Sequence, residues 1–272
     1  MQAYKQNDDI IEEYIKLMEH SHNKTLQSYM SSEKDIISHV KGSKKRTFID
    51  LGSGYGRVLP LISSLGRNVI AIELSPKLFI ELNKRSKELG NCEALLGDIT
   101  NSSKLLDGKT AVNPVVLLLL NTLGIVQGIE GAYQKVLAEM KDIAQKRDGS
   151  VILSLFCQEG LKKFGLTVYA SLKSMVGPVD MERTDFDRGL FVSKTGYISK
   201  WWTIKEREEI KSFFSPPDSV TLSSLERSSL LRFIFSDIEV NLLWKSSMFF
   251  DLFEYADLRN LVALRPSIPS GS

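Results

Sequence analysis

The sequence has little cysteine, and this scarcity limits the chemistry open to it. Cys92 and Cys157 are the only cysteines among the 272 residues. Their spacing suits neither the disulfide framework of a small secreted protein nor a metal site. We therefore expect two reduced thiols in a cytoplasmic protein, and we predict no metal site.

An excess charge of one sign and long hydrophobic runs are also lacking. Lys and Arg together number 35 and Asp and Glu 33, which leaves a formal charge of +2. A chain so balanced lacks the basic surface of a dedicated nucleic-acid binder. The longest apolar run, residues 115–120, is far shorter than the roughly 20 residues that cross a bilayer. We therefore expect neither membrane nor nucleic-acid partners. Residues 1–9 also lack the apolar core of a signal peptide, so we do not expect secretion.

Short apolar segments alternate with helical periodicity along most of the chain. The predicted strands are 47–51, 68–72, 93–96, 115–120 and 150–156, followed by 238–244 and 261–264. The run 115–120 shows no polar alternation, which is typical of a strand buried on both faces. This order predicts an α/β fold with a doubly wound, mostly parallel, seven-stranded sheet and right-handed crossovers.

Capping residues mark two helix boundaries. Ser75 and Pro76 are suited to begin a helix that Gly90 ends. Thr203 and Glu206 have the spacing of a capping box. These signals predict one helix directly after the second strand and another directly after residue 202.

Two segments lie outside the alternating pattern. Residues 1–46 carry Ile11, Tyr14 and Met18 at helical spacing, which predicts a helical lid. Residues 157–202 are too long for a simple connection, and Gly196 is placed for the turn of a β-hairpin. We therefore predict a lid at 1–46 and a domain at 47–272, with an inserted antiparallel cap at about 157–202.

A glycine loop follows the first predicted strand. Gly52, Gly54 and Gly56 remove the Cβ atoms that would keep a ligand from the backbone, and the loop begins a helix whose N-terminus favours an anionic group. Glu73 stands about twenty residues beyond the loop, where a dinucleotide-binding fold places the carboxylate that binds a ribose. The sequence therefore predicts a nucleoside ligand.

The spacing of this loop separates two kinds of nucleoside ligand. A dehydrogenase loop runs Gly-x-Gly-x-x-Gly to hold a pyrophosphate, whereas the third glycine comes one residue earlier here. Asp50 lies two residues before the first glycine, where its charge would repel a pyrophosphate. It is suited instead to an amino group.

With Asp50, Gly52, Gly54 and Gly56 followed by Glu73, the chain resembles the class I S-adenosylmethionine-dependent methyltransferases over about residues 47–156, with an extension to 264. The resemblance implies S-adenosylmethionine as cofactor and S-adenosylhomocysteine as product. It implies that the loop holds the methionyl part, Glu73 the ribose, and an Asp after the third strand the adenine. The cofactor contacts it predicts are Asp50, Gly52, Ser53, Gly54, Tyr55, Gly56, Glu73, Leu74, Gly97, Asp98, Ile99, Asn121, Thr122 and Leu123.

The segment after the fourth strand bears on the methyl acceptor. It reads Asn121-Thr-Leu-Gly124 and lacks the Asn/Asp-Pro-Pro-aromatic motif of enzymes that methylate DNA bases. It is similar to small-molecule methyltransferases, including glycine N-methyltransferase-like enzymes, which implies N- or O-methylation of a small molecule. The pair Gly56-Arg57 resembles some protein-lysine methyltransferases instead. A third alternative is a binding module that holds the cofactor without turnover.

Four residues are candidates for binding the acceptor. Tyr29 could approach the cofactor from the lid, Arg183 could bind a carboxylate, and Tyr197 and Trp201 could form an aromatic wall. For each of them, packing or a solvated loop is the competing interpretation. Methyl transfer depends mainly on positioning, so the sequence assigns no catalytic base and leaves the oligomeric state open.

Overall fold

The structure is a computed structural model that describes residues 8–38, 40, 42–126, 131–214 and 248–254. Its strands are β1 (Thr47–Leu51), β2 (Asn68–Glu73), β3 (Cys92–Leu96), β4 (Val115–Leu118), β5 (Ser150–Phe156), β6 (Leu190–Val192), β7 (Ile198–Lys200) and β8 (Met248–Glu254). Its α-helices are α1 (Asp8–Glu19), α2 (Lys24–Ser38), α3 (Leu59–Leu65), α4 (Pro76–Leu89), α5 (Ser102–Leu105), α6 (Thr122–Val126), α7 (Ala132–Gln145), α8 (Gln158–Gly160), α9 (Leu166–Ser171), α10 (Lys173–Val176) and α11 (Ile204–Phe214). One π-helical turn, Leu161–Gly165, joins α8 to α9.

The main sheet has the strand order β3-β2-β1-β4-β5-β8. Strands β1 to β5 are parallel, and β8 pairs with β5 antiparallel. The α/β fold and the mostly parallel sheet are therefore confirmed. The chain reverses the direction of strand addition between β1 and β4, and the crevice at such a switch point is where open α/β sheets bind ligands.

The number and bounds of the strands differ from the prediction. The described sheet contains six strands, and the predicted strands 238–244 and 261–264 lie outside the described residues. Strand β8 falls where no strand was predicted. Strand β4 ends at Leu118 rather than at Leu120, because Leu120 and Asn121 adopt left-handed backbone angles with φ of 52° and 56°.

Apolar side chains alternate between the two faces of the sheet. Along β1, Ile49 packs in a cluster with α7, whereas its neighbour Phe48 packs in a second cluster with α3 and α4. Both side chains are fully buried. Helices thus cover the two faces, which fixes the ends of the central strands as a rigid platform for the loops that follow them.

The predicted capping signals are confirmed. The Ser75 hydroxyl accepts a hydrogen bond from Leu78 N at 3.4 Å, and Gly90 ends α4 with φ of 75°. Thr203 Oγ1 accepts from Glu206 N at 3.3 Å, while Glu206 Oε2 accepts from Thr203 N at 2.9 Å. This reciprocal pair begins α11.

The segments before β1 and after β5 pack beside the sheet. The leading segment forms α1 and α2, and the predicted hairpin forms as β6 and β7, with Gly196 at φ of 87° in its turn. The hairpin is joined to β5 by Trp202 N, which donates to Phe156 O at 2.7 Å. The division into lid, domain and cap stays a prediction.

Within the described ranges, no helix combines the length and apolar composition needed to cross a membrane.

Candidate functional site

A cavity of about 90 Å³, partly open to solvent, lies at the carboxyl ends of β1 and β4. The lining comes from the glycine loop, α1 and the segment after β4: Tyr14, Asp50, Gly52, Ser53, Gly54, Tyr55, Arg57, Val58, Leu119, Leu120, Thr122 and Ile125. The loop after β1 and the end of β4 therefore meet at one place, whereas the ends of β2 and β3 lie outside this lining.

The three loop glycines all have positive φ, at 70°, 58° and 87° in chain order. A Cβ on Gly52 would stand 2.8 Å from Thr122 Cγ2, and one on Gly56 would stand 2.8 Å from Leu59 Cδ1. These two glycines let the loop approach α6 and α3 closely. A Cβ on Gly54 would meet no atom within 4 Å, so the middle glycine leaves space free at the cavity.

Glu73 fixes the shape of the loop from the end of β2. Its Oε2 accepts from Gly54 N at 2.8 Å, and its Oε1 accepts from Ser75 N at 2.7 Å. Burial raises the pKa of Glu73, while the N–H groups that it accepts from act in the opposite direction. Each carboxylate oxygen has a second lone pair, so the side chain can accept further hydrogen bonds. Glu73 lies just outside the cavity lining.

Asp50 is the buried acid of the cavity. Its side chain is 3% exposed, and burial raises its pKa to about 7, against the opposing effects of Ser53 and Arg57. A carboxylate withdrawn from water favours a cationic partner, because that partner would replace the lost hydration. The cavity therefore offers a site for an ammonium group.

A buried polar network behind the cavity was missed by sequence reasoning. Glu33 of α2 pairs with Arg57 Nη2, and its Oε1 accepts from Leu120 N and from Ser154 Oγ, each at 2.6 Å. Ser154 Oγ is also hydrogen-bonded to the Tyr29 hydroxyl. The network joins α2, the glycine loop and the ends of β4 and β5. Glu33 falls on the buried side of an amphipathic helix, and an acid in that position was the signal available in the sequence.

Two polar atoms at the cavity are buried without a hydrogen-bond partner among the described residues, Arg57 Nη1 and Tyr55 Oη. The Tyr55 ring meets the Tyr14 ring edge to face at 5.9 Å and lies 4.8 Å below the Arg85 guanidinium. Buried polar groups in proteins are nearly always paired. Their isolation at a cavity is what a site shaped for a polar ligand would show.

The end of β3 lies beside this region without bordering the cavity. Gly97 N donates to Glu73 O at 2.9 Å, and Asp98 Oδ1 accepts from Thr100 N at 2.9 Å. Ile99 is buried, whereas Leu74 is 47% exposed. Asp98 therefore caps the turn that follows it, and its contact with a ligand stays a prediction.

This protein is similar to solved structures in its fold but not in its sequence. The sequence matches no protein-family model and no curated protein. The PH0226 protein from Pyrococcus horikoshii OT3 is similar at a TM-score of 0.52 and 13% identity, over 86% of this chain and 92% of that chain. At such identity the similarity concerns the fold alone. Together with the strand order and the loop after β1, it decides the architecture.

The chain shares with that protein an α/β fold built on a mostly parallel sheet.

Two structures named as methyltransferases fall below this level of similarity. The 1,6-didemethyltoxoflavin-N1-methyltransferase from Burkholderia thailandensis, with bound S-adenosylhomocysteine, has a TM-score of 0.49 and 14% identity over 94% of this chain and 92% of that chain. The CcbJ methyltransferase from Streptomyces caelestis has a TM-score of 0.43 and 16% identity over 68% of this chain and 77% of that chain.

The side chain of Asn121 is occupied by hydrogen bonds within the protein. Its Nδ2 donates to Lys200 O at 2.9 Å and Ser199 Oγ at 3.3 Å, and its Oδ1 accepts from Phe156 N at 3.1 Å and Trp202 Nε1 at 3.2 Å. The side chain therefore connects β4, β5 and the hairpin instead of facing the cavity. Its neighbour Leu123 is fully buried in the core, and only Thr122 of this segment's predicted contacts lines the cavity.

The four acceptor candidates are not brought together at the cavity. Tyr29 and Trp201 are 3% and 2% exposed and pack within an aromatic core with Phe156, Tyr169 and Phe191, where Trp201 Nε1 donates to the Tyr169 hydroxyl at 2.8 Å. Tyr197 packs at the edge of the same core, and Arg183 is exposed. Trp201 and Trp202 are both buried, and contact of Tyr29 or Trp201 with an acceptor stays a prediction.

Proposed function

We propose that this protein is an S-adenosylmethionine-dependent methyltransferase acting on nitrogen or oxygen of a small molecule. The observation that carries the proposal is the cavity itself: a buried acid, Asp50, beside a loop of three glycines with positive φ. An anion-binding loop for a pyrophosphate would gain nothing from that acid, whereas the ammonium end of a methionyl group would be stabilised by it.

The residues at and beside the cavity fit both the methionyl end and the nucleoside end of the cofactor. Asp50 would hold the ammonium group, and Gly52, Ser53, Gly54, Tyr55 and Gly56 would surround the methionyl chain. Glu73 retains lone pairs for the ribose hydroxyls, with Leu74, Gly97, Asp98 and Ile99 on the side expected for adenine. Thr122 is within the lining, whereas Asn121 and Leu123 would support it from behind.

The protein's own contribution to methyl transfer would be positioning and the exclusion of water. When bound, S-adenosylmethionine supplies a methyl group already activated by its sulfonium. Tyr14 of α1 and Leu120 and Ile125 after β4 border the cavity opposite the loop, where they would limit the approach of solvent. Holding the acceptor in line with the methyl group accounts for much of the rate gain in such displacements, and no side chain need act as a base.

The preference for a small-molecule acceptor rests on the segment after β4, which lacks the proline pair typical of base methylation. The protein-lysine alternative rested on the pair Gly56-Arg57. Arg57 is engaged with Glu33, so this pair has a local explanation that needs no protein substrate. Cytoplasmic location and the acceptor contacts of Arg183 and Tyr197 stay predictions.

Transfer of labelled methyl groups in a cell extract tests the proposal. We expect label from S-adenosylmethionine to appear in the small-molecule fraction after separation by size. A matched Asp50→Asn variant should transfer far less label at the same donor concentration, while the control Asp107→Asn, at an exposed site, should behave as the wild type. Label confined to protein would contradict the small-molecule acceptor, and binding without transfer to either fraction would favour the non-catalytic module.

A further inference from the structure

The two terminal nitrogens of the Arg57 guanidinium lie in different surroundings. Nη2 is paired with Glu33, whereas Nη1 is buried and has no partner within the part of the chain that the structure describes. A buried guanidinium N–H without an acceptor costs free energy. Natural proteins rarely contain such an unpaired group. Since Arg57 also lines the cavity, the missing acceptor is expected to come from a ligand.

Glu33 makes the position of Arg57 a fixed one. Its carboxylate is also held by Leu120 N and Ser154 Oγ, at 2.6 Å each, and the side chain is fully buried. The ion pair therefore holds the Arg57 guanidinium in place before any ligand arrives. A preorganised group loses less entropy on binding than a mobile one.

The charges around the cavity specify which anion suits Arg57. Glu33 already balances the guanidinium charge, and Asp50 adds a further acid to the same lining. A phosphate with two charges would face these two carboxylates and be repelled. A single carboxylate carried on the same carbon as an ammonium group would place one charge near Arg57 and the other near Asp50.

We propose that Arg57, positioned by Glu33 of α2, binds the carboxylate of the methyl donor, so that the cavity selects ligands carrying both charged groups of an α-amino acid. This inference rests on the proposed function. It makes the leading helix α2 a part of the donor site through Glu33, although α2 itself contributes no residue to the cavity lining.

Calorimetry with two ligands tests this role of Arg57. S-adenosylhomocysteine is compared with its decarboxylated analogue, which keeps the amine and lacks the carboxylate. The wild type should prefer the intact ligand by about 10- to 100-fold, as expected for one charge-assisted hydrogen bond. Arg57→Met should abolish this preference, Arg57→Lys should restore part of it, and Arg67→Met, at an exposed arginine, should leave it unchanged.

Removing Arg57 alone leaves the Glu33 carboxylate buried and unpaired, which destabilises the fold. The double variant Glu33→Gln/Arg57→Met removes both charges and should fold while still showing no preference. Glu33→Gln alone should reduce the preference with Arg57 present, a change in selectivity that lost stability does not produce. Equal wild-type affinity for both ligands, or a preference retained in the double variant, would overturn the role of Arg57 and leave the proposed function standing. Wild-type binding of neither ligand would overturn the proposed function, and the role of Arg57 with it.

Discussion

Gly54→Ala should abolish binding of S-adenosylmethionine while the protein remains folded. The added methyl group meets no protein atom within 4 Å, and Gly54 borders the cavity. The methyl group would therefore occupy the space through which a ligand approaches the loop. The backbone at φ of 58° disfavours alanine by about 1–2 kcal/mol, which a domain of ordinary stability tolerates. Titration calorimetry and thermal unfolding measure the two effects separately.

Gly90→Ala supplies the matched control for this substitution. Gly90 has φ of 75°, its Cβ would also meet nothing within 4 Å, and it lies at the end of α4. The same backbone cost should therefore appear in its unfolding temperature, with affinity unchanged. If both variants lost affinity equally, the effect of Gly54 would be one of general strain, and the place assigned to the ligand would be wrong.

Asp50→Asn should weaken binding of the methyl donor by roughly 30- to 1,000-fold, which corresponds to about 2–4 kcal/mol for losing one member of a buried charge pair. The pKa of about 7 adds a pH signature. Wild-type affinity should fall as the pH drops below about 7, because the protonated acid no longer attracts an ammonium group. It should fall again above about 8, where the ligand's own amine loses its proton. Calorimetry across this range should show no acid limb for the variant.

Asp50→Asn should also stabilise the protein at neutral and higher pH. The pKa is raised in the folded state, so the favourable contribution of the neutral acid is complete below its unfolded value near 4 and is lost as the pH rises through about 7. The variant escapes this loss, which amounts to at most about 4 kcal/mol. Thermal unfolding from about pH 4 to pH 8 should show its advantage growing with pH. An advantage independent of pH would contradict the burial of an ionised Asp50.

The parts of the fold that sequence predicts are those encoded locally. Ser75 and Gly90 bound α4, and Thr203 with Glu206 begins α11, because each signal needs only residues a few positions apart. The unbroken apolar run in β4 predicts burial on both faces for the same reason. The loop glycines gave the location of the cavity, since their spacing alone implies close approach of the backbone.

What sequence reasoning missed depends on contacts between distant residues. Glu33 is joined to Leu120 and Ser154 across 87 and 121 positions of sequence, which no local pattern encodes. Asn121 was assigned to the ligand because it follows a strand, whereas its four side-chain hydrogen bonds reach β5, β7 and Trp202. A polar residue at a strand end can serve either purpose, and only the fold decides between them.

Titration calorimetry of the intact protein with S-adenosylmethionine measures most directly whether the cavity is a methyl-donor site. We expect saturable binding of one ligand per chain. Affinity should fall at least about tenfold in Glu73→Ala, because Glu73 shapes the loop through Gly54 N and Ser75 N and would accept from the ribose. Absence of binding to the wild type, or affinity unchanged by Glu73→Ala, would contradict the assignment of this cavity to the methyl donor.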